Sequence, residues 1–245
     1  MNILICGDVV GRTGREIVLE HLPALRRDLA LDAIIVNAEN AAHGFGLTGA
    51  ICKELYDAGT DVITTGNHVW DQRELIGYIG QDPRLLRPVN FPAGTPGAGA
   101  VVLEVARGRK LMVVNVMCRL FMDPLDDPFA AMDKVLATQR LGGTVDAIVV
   151  DVHGEASSEK MAMGHALDGR ASLVVGTHTH TPTADAQILP GGTGYLTDAG
   201  EACRAAAYRR PSRAGLADQR WGPRPAGRIG QPRPVGRPGW PRETA

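Results

Sequence analysis

The stretch Ala33-Ile34-Ile35-Val36-Asn37-Ala38-Glu39-Asn40 decides the fold, because a short apolar run stops abruptly on two amides and a carboxylate. A run of this length, apolar throughout and β-branched from Ile34 to Val36, suits a strand buried on both faces of a sheet. Glu39 then lies near the sheet end rather than on a solvated face. The pattern recurs along the chain. Asn2-Ile3-Leu4-Ile5-Cys6 meets Gly7-Asp8, and Asp61-Val62-Ile63-Thr64-Thr65 leads to Gly66-Asn67-His68. Leu111-Met112-Val113-Val114 ends at Asn115, Ala147-Ile148-Val149-Val150 at Asp151-Val152-His153, and Leu173-Val174-Val175 at Gly176-Thr177-His178-Thr179-His180. Ligands of α/β sheets bind outside the carboxyl ends of the strands, so these polar groups are expected to converge on one metal centre.

Between the runs the periodicity turns helical. Ile17, Val18, Leu19 and Leu22 share one helical face that continues through Pro23-Ala24-Leu25. Further helices are expected over 48–58, 73–79, 129–141 and 157–167. A loop is expected over 88–99, and the stretches 101–105 and 110–116, joined by Arg107-Gly108-Arg109, read as a hairpin. The alternation implies an α/β fold of β-sheets layered against helices.

The composition, 44% hydrophobic and 22% charged, is that of a soluble globular protein. No uninterrupted apolar stretch reaches about 18 residues, and the amino terminus lacks a basic region ahead of its first apolar run. No membrane contact and a cytoplasmic location are therefore expected. Cys6, Cys52, Cys118 and Cys203 stand singly with no CxxC pair, which fits buried thiols in a reducing compartment.

The chain's net charge of −1 hides an asymmetry. Residues 201–245 hold ten Arg, no Lys and three acidic groups, a net +7, which leaves −8 on residues 1–200. This segment, rich in Arg, Pro and Gly, is expected to be a disordered tail beyond a folded domain of residues 1–200. A basic tail could contact nucleic acid. The abrupt change, and the GC-rich codons that Arg, Pro, Gly and Ala share, instead favour a frameshifted terminus, with any nucleic-acid contact incidental.

Several residues are suited to chemistry. In an extended segment His178 and His180 project to one side, so both imidazoles can face one centre, or they are two exposed histidines of a Thr-rich loop. Asp8 either binds metal or caps the following helix. Glu39 can bridge two cations, one oxygen to each. Asn67 offers an amide oxygen, and His68 beside it can meet a leaving group as general acid. His43-Gly44 lies in a loop that can border a pocket, whereas His21 and His165 fall on helix surfaces. Gly11-Arg12-Thr13-Gly14 matches no nucleotide motif, though it can help to seat a phosphate. No GxSxG accompanies Ser157-Ser158, which argues against a serine hydrolase.

The set Gly7-Asp8, Glu39-Asn40, Gly66-Asn67-His68, His153 and His178-Thr179-His180, each after a strand, resembles the calcineurin-like metallophosphoesterases. The motifs Asn37-Ala38-Glu39-Asn40-Ala41, His43-Gly44-Phe45-Gly46, Thr65-Gly66-Asn67-His68-Val69-Trp70, Ser157-Ser158-Glu159-Lys160 and Thr197-Asp198-Ala199-Gly200 are similar to the bacterial YmdB-type branch. The resemblance covers about residues 1–200. It implies a layered metallophosphoesterase fold and hydrolysis of a phosphodiester, with 2',3'-cyclic or 3',5'-cyclic AMP as the substrate type. It further implies two metal ions, iron or manganese, with Asp8, Glu39 and His180 around one and Glu39, Asn67, His153 and His178 around the other. Asn40 would stand on the first ion's side or contact substrate, and His68 would be the catalytic acid. Asp8-Val9-Val10 lacks the His that usually follows the superfamily's first Asp, and Cys118 stands where relatives carry Gly. Relatives continue with folded sequence after Gly200, so late strands covering the sheet are expected to be missing. A homo-oligomer is compatible with the sequence. Two rival readings are a metal- or nucleotide-binding regulator with little turnover, and an inactive truncated product.

Overall fold

Each apolar run forms a strand whose alternating side chains feed two different cores. The computed structural model describes residues 1–202. The expected disordered tail and lost covering strands, together with Cys203, fall outside the described residues, apart from Glu201 and Ala202. The first half contains β1 (Ile3–Cys6), α1 (Gly11–Asp28), β2 (Ala33–Asn37), α2 (Gly49–Asp57), β3 (Val62–Thr64), α3 (Glu74–Tyr78) and β4 (Leu85–Leu86). The second contains β5 (Ala100–Val105), β6 (Arg109–Met117), α4 (Pro128–Leu136), β7 (Ala147–His153), α5 (Ser157–Ala166), β8 (Leu173–Thr177), β9 (Gln187–Ile188) and β10 (Gly194–Leu196). Among the described residues no helix is long and apolar enough to cross a membrane.

Strands β1-β2-β3-β4 form one parallel sheet, and β5-β6-β7-β8-β10-β9 form a second. The second sheet is parallel from β6 to β10 and antiparallel at its two edges, where β5 and β6 make the expected hairpin. Local chemistry sets several helix ends. Thr48 accepts a bond from Ile51 N at α2, while Asp127 caps α4 through Phe129 N and Ala130 N with Pro128 in the first turn. That helix ends at Leu136, short of the expected Leu141, and 140–145 instead form a turn through Gly142-Gly143.

Period-two alternation distributes the apolar residues. Ile34 and Val36 pack with Val18, Leu22 and Leu55 beneath α1 and α2, and Ile148, Val150 and Val174 pack with Met132 and Met163 beneath α4 and α5. Ala33 and Ile35 turn the other way, onto Leu111, Val113, Val149 and Val175 of the second sheet. The order is therefore helix, sheet, sheet, helix.

Each inward row changes from apolar to polar at its carboxyl end. Asn37 follows Ala33 and Ile35, Thr64 follows Val62, and Asn115 follows Leu111 and Val113. Asp151 follows Ala147 and Val149, and Thr177 follows Leu173 and Val175. All five polar residues are fully buried. Asp151 gathers them: its Oδ2 accepts from Asn37 Nδ2 (3.1 Å) and Thr64 Oγ1, and its Oδ1 accepts from Thr177 Oγ1 (2.7 Å). Asn37 and Thr64 belong to one sheet, Asp151 and Thr177 to the other. Burial pushes the Asp151 carboxyl upward, while the bonds from Thr64, Thr177 and Asn37 and the charge of His153 act against it. Replacing Asp151 by Ala removes the shared acceptor of three buried donors. We expect Asp151→Ala to lower the unfolding free energy by about 3–5 kcal/mol in a denaturant titration; a loss under about 1 kcal/mol would show that the sheets do not need the pin.

Candidate metal centre

One residue beyond that pin in the same inward row, His153 closes β7. Its Nδ1 lies 2.9 Å from Thr177 Oγ1, whose own proton goes to Asp151. Thr177 therefore accepts, and the imidazole carries a proton on Nδ1. Its Nε2 faces three acceptors at once: Asn67 Oδ1 at 2.9 Å, Glu39 Oε1 at 3.0 Å and His178 Nδ1 at 3.1 Å. A single proton cannot serve three acceptors. Ligand atoms held about 2.1 Å from one ion at right angles stand about 3.0 Å apart, so this spacing suits a cation. Glu39, His153 and His178 together offer ligand atoms within 4.8 Å of one another.

A second group adjoins the first. Asp8, placed by Gly7 just beyond β1, accepts His178 N through Oδ2 at 3.0 Å, and its Oδ1 lies 3.9 Å from His180 Nε2. Glu39 Oε2 accepts His68 N at 3.0 Å. Asp8 Oδ1, Glu39 Oε1 and Asn40 Oδ1 are buried without a hydrogen bond. For Glu39 Oε1 the nearby His153 Nε2 is within contact distance but misaligned for donation. Buried orphan oxygens cost free energy, and a cation is the partner that would satisfy all three. The donor set therefore fits the implied metal.

The protonation balance points the same way. Burial, opposed by His153 and reinforced by Glu39, pushes Asp8 up to about 7. Burial would lower His153, yet Glu39 and Asp8 raise it to about 9. Burial also disfavours charge on Glu39, but His153 holds its carboxyl below the usual range. His178 is brought down to about 4 by burial and by the charge on His153. Acidic oxygens concentrated here draw positive charge inward.

The loop after β8 departs from the extended geometry expected of it. His178 and His180 take φ values of 98° and 60°, in the left-handed region that side chains rarely adopt. Their imidazoles consequently separate, His178 toward His153 and His180 toward Asp8. Asp198 holds the turn, since its Oδ2 accepts from Thr179 N (3.2 Å), Thr179 Oγ1 (2.7 Å) and Lys160 Nζ (2.7 Å). Lys160 Nζ also donates to Thr177 O at 2.9 Å. Both partners of this ion pair are buried. Their sequence motifs carried the resemblance, yet neither residue was singled out for a role, because a lone Lys on a helix reads as solvated.

Other positions are placed as follows. His68 Nδ1 bonds Asp71 Oδ2 at 2.7 Å, a partner that sequence reasoning missed although its spacing of three from His68 was a signal. His43 is exposed, and Gly44 O accepts Asn40 Nδ2 at 3.1 Å. Gly11 opens α1, and its N–H already donates to Asn40 O, which removes that amide from a phosphate. Cys118 is buried against Gly154 and its N–H donates to His153 O. The Asn115 side chain bonds Thr65 N and Asp151 O, which places it among the scaffold contacts beside the site. Glu201 and Ala202, assigned above to the tail, pair with Asp8, and Ala202 packs on the first core.

Two facing sheets sheathed in helices, with carboxylate, amide and imidazole groups gathered at their carboxyl ends, are the architecture of a calcineurin-like metallophosphoesterase. The chain belongs to the YmdB-like protein family, whose model matches residues 4–207. It is 50% identical over 200 residues to a 2',3'-cyclic-nucleotide 2'-phosphodiesterase of Bacillus subtilis, covering 82% of this chain and 75% of that protein. Its structure resembles that of a hypothetical protein from Thermus thermophilus, with a TM-score of 0.77 and 48% identity over 82% of this chain and 77% of that one. A novel phosphatase of Mycoplasma pneumoniae aligns with a TM-score of 0.75 and 34% identity over 81% and 71% of the two chains.

Gly66 has no room for a side chain, because a Cβ there would overlap His153 Nε2 and Glu39 Oε2. Gly66→Ala is expected to weaken metal binding at least about tenfold in a chelator competition. Undiminished affinity would mean that the backbone yields and the two ligands keep their places.

Proposed function

We propose that this phosphodiesterase opens 2',3'-cyclic nucleotides at a centre of two metal ions. The observation that carries the reading is the convergence of Asn67, Glu39 and His178 on His153 Nε2, beside the orphaned oxygens of Asp8, Glu39 and Asn40. Asn67, His153 and His178 would hold one ion, Asp8 and His180 the other, and Glu39 would reach both, with Asn40 on the side of the second. Oxygen and imidazole donors of this kind suit iron or manganese. The relative from Bacillus subtilis favours the 2',3'-cyclic over the 3',5'-cyclic class.

Bound there, the ions would set positive charge against the phosphate oxygens and acidify the attacking water. The protein's own groups complete the reaction. Asp71 accepts the Nδ1 proton of His68 and orients the ring, which turns Nε2 toward the leaving oxygen as the proton donor. As water adds to phosphorus and the bond to one ribose oxygen breaks, that proton passes to the departing oxygen. Glu39 fixes the start of the same segment by accepting His68 N, so the acid and this carboxylate keep a constant separation. The loop of His43 and Gly44, tied to Asn40, borders the substrate side.

Two variants separate the roles. His68→Ala should lower kcat on 2',3'-cyclic AMP by about 10²–10⁴-fold with metal content retained, as read by elemental analysis beside steady-state kinetics. His178→Ala should instead lower the metal content itself. Full activity in the first variant, or full occupancy in the second, would remove that residue from its role.

A further inference from the structure

Phe45 stands at the site, yet the hydrolytic chemistry makes no use of it. Its loop is held from several directions: Phe45 N donates to Ala42 O (3.1 Å), Ala42 N to Gly46 O (2.9 Å) and Gly44 N to Asn40 O (3.1 Å). Gln72 Nε2 donates to Phe45 O at 2.9 Å. His43, Gly44 and Gly46 take φ values of 58°, 99° and 80°, and Gly46 lies so close to Gln72 and Asp71 that a Cβ would crowd both. A loop fastened in this way fixes the place of its side chain. Phe45 nevertheless remains 59% exposed, forgoing the stabilisation that burial of a ring brings. Its ring meets the imidazole of His68 edge to face, with centroids 5.0 Å apart and planes at 63°. An open aromatic face is thus presented rigidly beside the group assigned to the leaving oxygen.

We propose that Phe45 is the stacking platform for the heteroaromatic base of the nucleotide substrate, an inference that rests on the cyclic-nucleotide reading above. With the phosphate on the ions that Asp8, Glu39, Asn67 and the histidines would hold, the ribose would carry the base outward past His68, where the neighbouring surface is the Phe45 ring. A π-face stacks on any base without reading its hydrogen-bonding edge, so the platform selects for the presence of a base rather than its identity. Stacking on one aromatic side chain changes affinity by about tenfold or more.

The test uses the full chain loaded with Mn²⁺ and compares, by calorimetry, its affinities for adenosine 3'-monophosphate and for the base-free methyl riboside 3-phosphate. The wild type is expected to prefer the base-bearing ligand by about tenfold or more, Phe45→Ala to bring that ratio close to one, and Phe45→Trp to keep it. An unchanged ratio in Phe45→Ala, or an equal weakening of both ligands, overturns the platform, the latter by showing that the ring only supports His68. Turnover of 2',3'-cyclic AMP by the wild type is measured alongside. Its absence overturns the functional reading, whereas turnover with an unchanged ratio overturns the platform alone.

Discussion

The bonds that Asp151 accepts from Asn37, Thr64 and Thr177 are the constraint on which the rest of the structure depends. Apolar contact between two sheets is non-directional and tolerates sliding, whereas donors and acceptors at fixed positions admit one alignment. The buried carboxylate therefore selects a register as well as joining two layers. Its neighbour in the inward row is His153, and its partner Thr177 faces the Nδ1 of that imidazole. The contacts that align the sheets thus also aim the His153 imidazole at the centre of the candidate site.

Above the pin, the fold accepts local costs. Asp8, Glu39 and Asn40 bring oxygens into the interior without hydrogen bonds, and His178 and His180 adopt backbone conformations that side chains resist. Such features persist only where the surroundings over-determine them. Here the surroundings are Lys160 and Asp198, which grip the residues before and between the two histidines. A buried ion pair is a poor stabiliser measured against apolar packing. Its consequence here is positional, because it sets one imidazole toward His153 and the other toward Asp8.

Much of this was legible in the chain. The six apolar runs correspond to strands, the hairpin lies where alternation and a Gly-containing turn put it, and their polar ends meet at one edge of the two sheets. Strands β4, β9 and β10 escaped because two or three residues carry no detectable period. The extended reading of His178-x-His180 failed for a different reason. Their left-handed turn is held by Asp198, which lies beyond β9 and β10, and no local pattern announces it. Asp71 was within reach, since it lies three residues from His68 on a short helical turn.

From the residues in order follow the succession of elements and the kind of group that ends each strand. Both are local properties, set by side-chain alternation and by the point where an apolar run stops. The tertiary structure alone decided which of those groups touch. Asn37 meets Asp151 across 114 residues, and Asp8 meets His178 across 170. Such contacts follow from how two sheets pack and which buried donors find acceptors, and that energy belongs to the assembled layers rather than to any stretch of chain.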